Sequence, residues 1–340
     1  MFAEAKLEGV KLLTKWYFGR KLGIVLDDDV NGTLETAKEL DQGQGNFREA
    51  ANHYFYVMNS ADNPLIKAEA SLGVEQQLIN INAFPQALRF LDGHMVSYIA
   101  SSLSYKDQQI YLAQIEGKKG WIADGMMDFK GSERYFREAA NKLSNIPKDE
   151  WSSKEHELWS TTRHFLGRAH YGQAFLGEDR KINIEWAVKF FQEAYRLDRD
   201  EYQGENRYGK LGFGHAWLAR CAILADDEDV ADFHVGSAVS NFGLQTMITQ
   251  SNKSYLAHSY LIEGEFDLKF GSREAARRHY EESLTAWQEH GQHPNGEAAA
   301  LIGLGMTYRK QIPWELPQKI HYYREAAKVG PGAFKRLLGG

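Results

Sequence analysis

A five-residue motif returns along this chain at a nearly constant interval: two adjacent aromatic or bulky residues, a polar residue, Glu, then a small residue. It reads Tyr135-Phe136-Arg137-Glu138-Ala139, Phe190-Phe191-Gln192-Glu193-Ala194, His279-Tyr280-Glu281-Glu282-Ser283 and Tyr322-Tyr323-Arg324-Glu325-Ala326. His234-Val235-Gly236-Ser237-Ala238 fills the gap between the second and third copies, and a degenerate His53-Tyr54-Phe55-Tyr56-Val57 stands near the start. From Phe136 onward the second residues of successive copies lie 55, 44, 45 and 43 residues apart. A period near 44 is the mark of stacked supersecondary units, each unable to bury its apolar side except against its neighbours.

The units are helical. Only 7 prolines occur, and apolar residues recur at spacings of three and four rather than in alternation. Between Ser272 and His290, for instance, Ala276, Tyr280, Ser283, Leu284 and Trp287 share one helical face, while Arg273, Arg277, Glu281 and Glu282 occupy the other. Asn63-Pro64 and the pair Ser152 and Glu155 have the spacing of helix starts, and Gly177, Gly271 and Gly291 stand where helices should turn. A second motif precedes the first: Leu72-Gly73, Leu166-Gly167, Leu218-Ala219, Glu263-Gly264 and Leu304-Gly305. A small residue at a fixed helical position lets a neighbouring helix approach closely, so each unit reads as helix A, turn, helix B.

The segment Gly264, Gly271, Ala276, Tyr280 and Ser283 resembles a tetratricopeptide repeat, as does Leu304-Gly305 with Tyr308, Tyr323, Ala326 and Pro331. Gly45, Ala50 and Tyr54 resemble the second half of a further copy, and the resemblance fades between Asn82 and Gly125. The usual repeat of that family is about 34 residues, roughly ten shorter than here, which is closer to the tetratricopeptide sensor regions of bacterial regulators than to short-repeat chaperone adaptors. The resemblance implies an all-α fold, an alpha-alpha superhelix: a right-handed solenoid of stacked antiparallel helix pairs. On this reading residues 1–63 form an N-terminal capping hairpin, 64–331 the repeat array and 332–340 a tail in which Phe334-Lys335-Arg336-Leu337-Leu338 caps the end, all one continuous solenoid. Most of the repeated aromatic, Ala and Gly residues then serve packing alone.

Charge and cysteine usage narrow the function. Forty Lys and Arg against 46 Asp and Glu leave a formal charge of −6, which argues against a general polyanion binder, so direct nucleic-acid binding is not expected. The single cysteine, Cys221, lies in an apolar run, which suits a small core residue and a reducing, cytoplasmic setting. Glu4, Lys6, Glu8, Lys11 and Lys15 interrupt the first turns, so no secretory leader is read there, and no later run is apolar enough for a membrane span.

No motif specifies a nucleophile, a general acid, a metal or a cofactor, and no enzyme is expected. His290-Gly291-Gln292-His293 reads as a turn. Asp27-Asp28-Asp29 and Asp226-Asp227-Glu228-Asp229 read as acids flanking helix starts, and Gly209, Gly212 and Gly214 lack the context of a phosphate loop. What remains is the inner face of the A helices, where His164, Arg168, Tyr171, Arg220, His258, Glu265 and Arg309 fall at comparable places. Cations beside an aromatic suit a peptide carboxylate or acidic side chain through charge-assisted bonds. The chain therefore reads as a scaffold binding a protein or peptide in its groove. The other readings are a ligand-responsive sensor of a bacterial signalling system, or a self-assembling scaffold forming a homo-oligomer.

Overall fold

The computed structural model describes residues 30–44, 47–80, 83–249, 253–290, 294–309 and 311–329. Asp27-Asp28-Asp29, Gly45, Gly291, Gln292, His293, Pro331 and the 334–338 capping segment lie outside them. The described residues are helical without a strand, and the chain divides into two compact units.

The first unit spans Met1–Ile122 with Asn141–Ile146. It contains α1 (Val30–Gln44), α2 (Phe47–Ser60), α3 (Pro64–Asn80), the short α4 (Phe84–Leu91) and α5 (His94–Ser101), and most of α6 (Tyr105–Gly125). Asn63 opens α3 by accepting a hydrogen bond at Oδ1 from the Leu65 amide, 2.9 Å, with Pro64 as the first helical residue. The Tyr54 ring lies on Gly73, where a Cβ would come within 2.4 Å of it. The gap in the repeat pattern has its cause here: α4 and α5, eight residues each, stand where a long hairpin would repeat. Fully buried Glu75 of α3 faces Lys118 of α6 at 3.5 Å. Burial pushes its carboxyl up to about 7 against the pull of Lys118.

The second unit, Ala123–Ala140 with Pro147–Gly340, holds most of α7 (Phe129–Ser144) and then four consecutive pairs. They are α8 (Ser153–Phe175) with α9 (Arg180–Asp200), α10 (Arg207–Ala225) with α11 (Glu228–Thr249), α12 (Ser254–Lys269) with α13 (Arg273–His290), and α14 (Pro294–Thr307) with α15 (Leu316–Val329). Ser152 and Glu155 close a reciprocal capping box at the head of α8. Gly177, with φ of 87°, makes the turn into α9 in a conformation that a side chain would strain. The acid run before α11 caps it, Asp227 Oδ1 accepting from the Val230 amide at 3.2 Å. Gly209, Gly212 and Gly214 all lie inside α10.

The two sequence motifs meet in space. A Cβ on Gly167 would fall 2.7 Å from the Phe191 ring, one on Gly264 2.9 Å from Tyr280, and one on Gly305 2.3 Å from Tyr323. Each of these three glycines thus receives the aromatic of its own B helix, and this fixes how closely the pair can pack. In the α10–α11 pair the contact has moved along the helix: Gly212 receives Phe242 at 2.6 Å, while Ala219 and Val235 share the core beside it. The A helices also touch one another, α8 with α10, α10 with α12 and α12 with α14. That is the alpha-alpha superhelical arrangement implied by the repeat.

Candidate functional site

Side chains on one stripe of each A helix are brought to a common place. Thr161, His164, Phe165 and Arg168 of α8, Lys210, Phe213, Trp217 and Arg220 of α10, and His258 and Leu261 of α12 line a cavity of about 370 Å³, within the range of small-ligand sites. Ser160 of α8 and Asp198, from the B helix α9, complete the lining.

The walls combine aromatic rings with cations. Trp217 stacks on Phe191, centroids 5.5 Å apart, and takes His164 edge-on at 6.1 Å. The guanidinium of Arg220 lies 4.7 Å and that of Arg168 5.2 Å from the Trp217 centroid, so one indole carries two cations. Both arginines are anchored from behind. Arg168 Nη2 donates to Asp124, and Arg220 donates through Nε and Nη2 to the two carboxylate oxygens of Glu265 at 2.7 and 2.8 Å. Lys210 donates to Glu157 at 2.8 Å. The anchors Asp124, Glu157 and Glu265 stand outside the lining, which leaves Asp198 as its only acid among the described residues. The buried Nε of Arg168 has no hydrogen-bond partner among the described residues.

Electrostatics fix the protonation of the polar groups. Burial, and then the positive charges of Arg168, Arg220 and Lys210, press His164 down to about 3, so at neutral pH its imidazole is uncharged. Burial raises the Asp198 carboxyl, opposed by the hydrogen bond it accepts from Ser160 Oγ at 2.6 Å and by Lys210. Behind the wall, burial pushes the Cys221 thiol up to about 12, which leaves it a protonated core residue.

Of the residues that the sequence pointed to, His164, Arg168, Arg220 and His258 line the cavity. Glu265 and Tyr171 stand behind it. Glu265 holds Arg220, and Tyr171 packs edge-on against Trp217 at 5.4 Å, its phenol raised by burial and then by the Glu265 charge. Arg309 lies apart: exposed beyond the end of α14, its amide donates to Glu315 at 2.6 Å. Sequence reasoning passed over Lys210, Phe213 and Trp217, although with Arg220 they follow the three-and-four spacing of one helical stripe. Asp198 carried no such signal, because it belongs to a B helix.

No protein-family model matches the chain, and no curated protein matches it by sequence. Among solved structures it is similar to a Rap protein complexed with Competence and Sporulation Factor. That match has 14% identity and a TM-score of 0.59, covering 90% of this chain and 77% of that one. It is also similar to the apo form of RapI, with 13% identity and a TM-score of 0.50, covering 89% of this chain and 77% of that one. At these identities the likeness is one of fold: a tetratricopeptide-like array of helix pairs.

Proposed function

We propose that this chain is a binding protein whose α8–α10–α12 cavity receives a peptide segment, held by a carboxylate at the end of the segment or on an acidic side chain. The observation that carries the reading is the asymmetry of the cavity: Arg168, Lys210 and Arg220 face it while the acids that anchor them stand outside the lining. An entering carboxylate meets donors already held in place, so little side-chain freedom is lost on binding. Phe165, Phe213 and Trp217 offer flat apolar surface to the rest of the segment. The similarity to a Rap protein complexed with Competence and Sporulation Factor supports ligand capture on such a fold.

A regulatory role is supported by the same geometry. The lining comes from three successive A helices, so an occupant that bridges them changes how those pairs are held to one another. That suits a ligand-responsive sensor better than a passive adaptor.

The test uses the full chain and a set of short peptides of equal length whose termini and side chains are varied from acidic through neutral to basic, read by isothermal titration. Acidic peptides should bind best, and Lys210→Gln should weaken them by roughly tenfold. Equal affinity for neutral and basic peptides would overturn the proposal, as would acidic peptides that bind Lys210→Gln as tightly as the unaltered chain.

A further inference from the structure

Helix α11 differs from the other B helices. From Phe233 to Asn252 the sequence holds no Asp, Glu, Lys or Arg, the longest such stretch in the chain. The outward face of the helix is nevertheless rich in large apolar side chains: Phe233 is 64% exposed, Leu244 41% and Met247 66%. An exposed apolar stripe of this kind marks a contact surface.

The order of residues along the stripe identifies the partner. Phe233, Gly236, Ser240, Leu244 and Met247 fall on one helical face, and their positions are symmetric about Ser240. When two such helices cross antiparallel on a two-fold axis at Ser240, Phe233 of each meets Met247 of the other. Leu244 of each then stands over Gly236, and the two Ser240 side chains meet at the axis. Gly236 supplies the hole for that leucine, since a Cβ built there has nothing within 4 Å. A self-complementary pattern of knob and hole is what an isologous interface requires. The missing charges point the same way: the chain carries −6 overall, and a second copy can approach without like-charge repulsion only where the surface is neutral. We infer that the α11 face is a homodimer interface, formed with a second copy of this chain by antiparallel packing of α11 about Ser240.

The full chain is measured by sedimentation equilibrium up to roughly 100 μM, since one helix face gives a modest interface. A reversible monomer–dimer equilibrium is expected. Gly236→Leu should weaken it at least tenfold without unfolding the chain, because the space around Gly236 is open in a single copy. General apolar stickiness would instead strengthen with the added leucine, so unchanged or tighter association overturns the inference. Ser240→Cys should crosslink to a dimer under mild oxidation. An equimolar mixture of Phe233→Cys and Met247→Cys chains should crosslink where neither does alone. Lys189→Cys, exposed on α9, is the control. A monomer at every concentration, or crosslinking of Lys189→Cys as readily as of Ser240→Cys, also overturns it. Peptide titration of Gly236→Leu keeps this result separate from the cavity, which contains no residue of α11.

Discussion

Arg220 and Glu265 stand 45 residues apart, one repeat, and join successive A helices through two parallel hydrogen bonds of 2.7 and 2.8 Å. The pair holds the Arg220 guanidinium on the face of Trp217, 4.7 Å from the ring centroid, at the wall of the cavity. It couples the stacking of two helix pairs to the shape of the site. Both side chains are more than two-thirds buried, so removing one leaves the other's charge poorly solvated. Glu265→Ala should lower stability by about 3 kcal/mol and loosen Arg220. Urea unfolding of the variant checks the first effect and peptide titration the second.

The neutral His164 makes stability fall in acid. Its value in the fold is about 3, below the ordinary histidine range, so between those limits the unfolded chain binds the extra proton. The contribution is complete above about pH 6.5 and is lost progressively as pH falls below it. From pH 7 to pH 5 the loss through this group is at most about 2 kcal/mol. His164→Phe, which keeps a ring among Phe165, Phe191 and Trp217, should flatten that part of the profile. An unchanged slope in denaturant titrations at the two pH values would contradict the assignment.

Glu75 acts in the opposite direction. Its carboxyl is raised to about 7, so the fold favours the protonated form, and the contribution is present at low pH and lost as pH rises through 7. Glu75→Gln mimics that form. It should gain about 3 kcal/mol relative to the unaltered chain at pH 8 and less than about 1 kcal/mol at pH 5, in the same unfolding assay.

The glycines separate by what faces them. Gly167→Ala drives a methyl into the Phe191 ring, 2.7 Å away, and should cost about 1–3 kcal/mol. Gly243→Ala, with nothing within 4 Å, should instead stabilise α11 by about 0.5–1 kcal/mol. Thermal melts of the two variants should move in opposite directions.

Removing the chain from Gly303 onward should destabilise the α12–α13 pair, because Tyr280 packs against Leu304 and over Gly303. In a stack of units the loss is felt first by the neighbour. The unfolding midpoint should drop by roughly 10 °C; an unaltered midpoint would show that the pair does not rely on α14.

The period of the Phe191, Tyr280 and Tyr323 motif, together with Gly167, Gly264 and Gly305, already determined that this chain folds as stacked helix pairs. An aromatic ring and the glycine that admits it must recur once per unit wherever units pack alike. Helical spacing also placed His164, Arg168, Arg220 and His258 on the A helices. Tertiary structure decided the rest. Whether Arg220 lines the cavity or only pairs with Glu265, whether Asp198 reaches the cavity from α9, and whether Arg309 lies near it all depend on the rotation and offset of one pair against the next. Those are set by side-chain packing between residues some 45 positions apart, which a local periodicity does not encode. The short helices α4 and α5 are a second case: the sequence there loses the repeat, but only the fold shows that two eight-residue helices replace a hairpin.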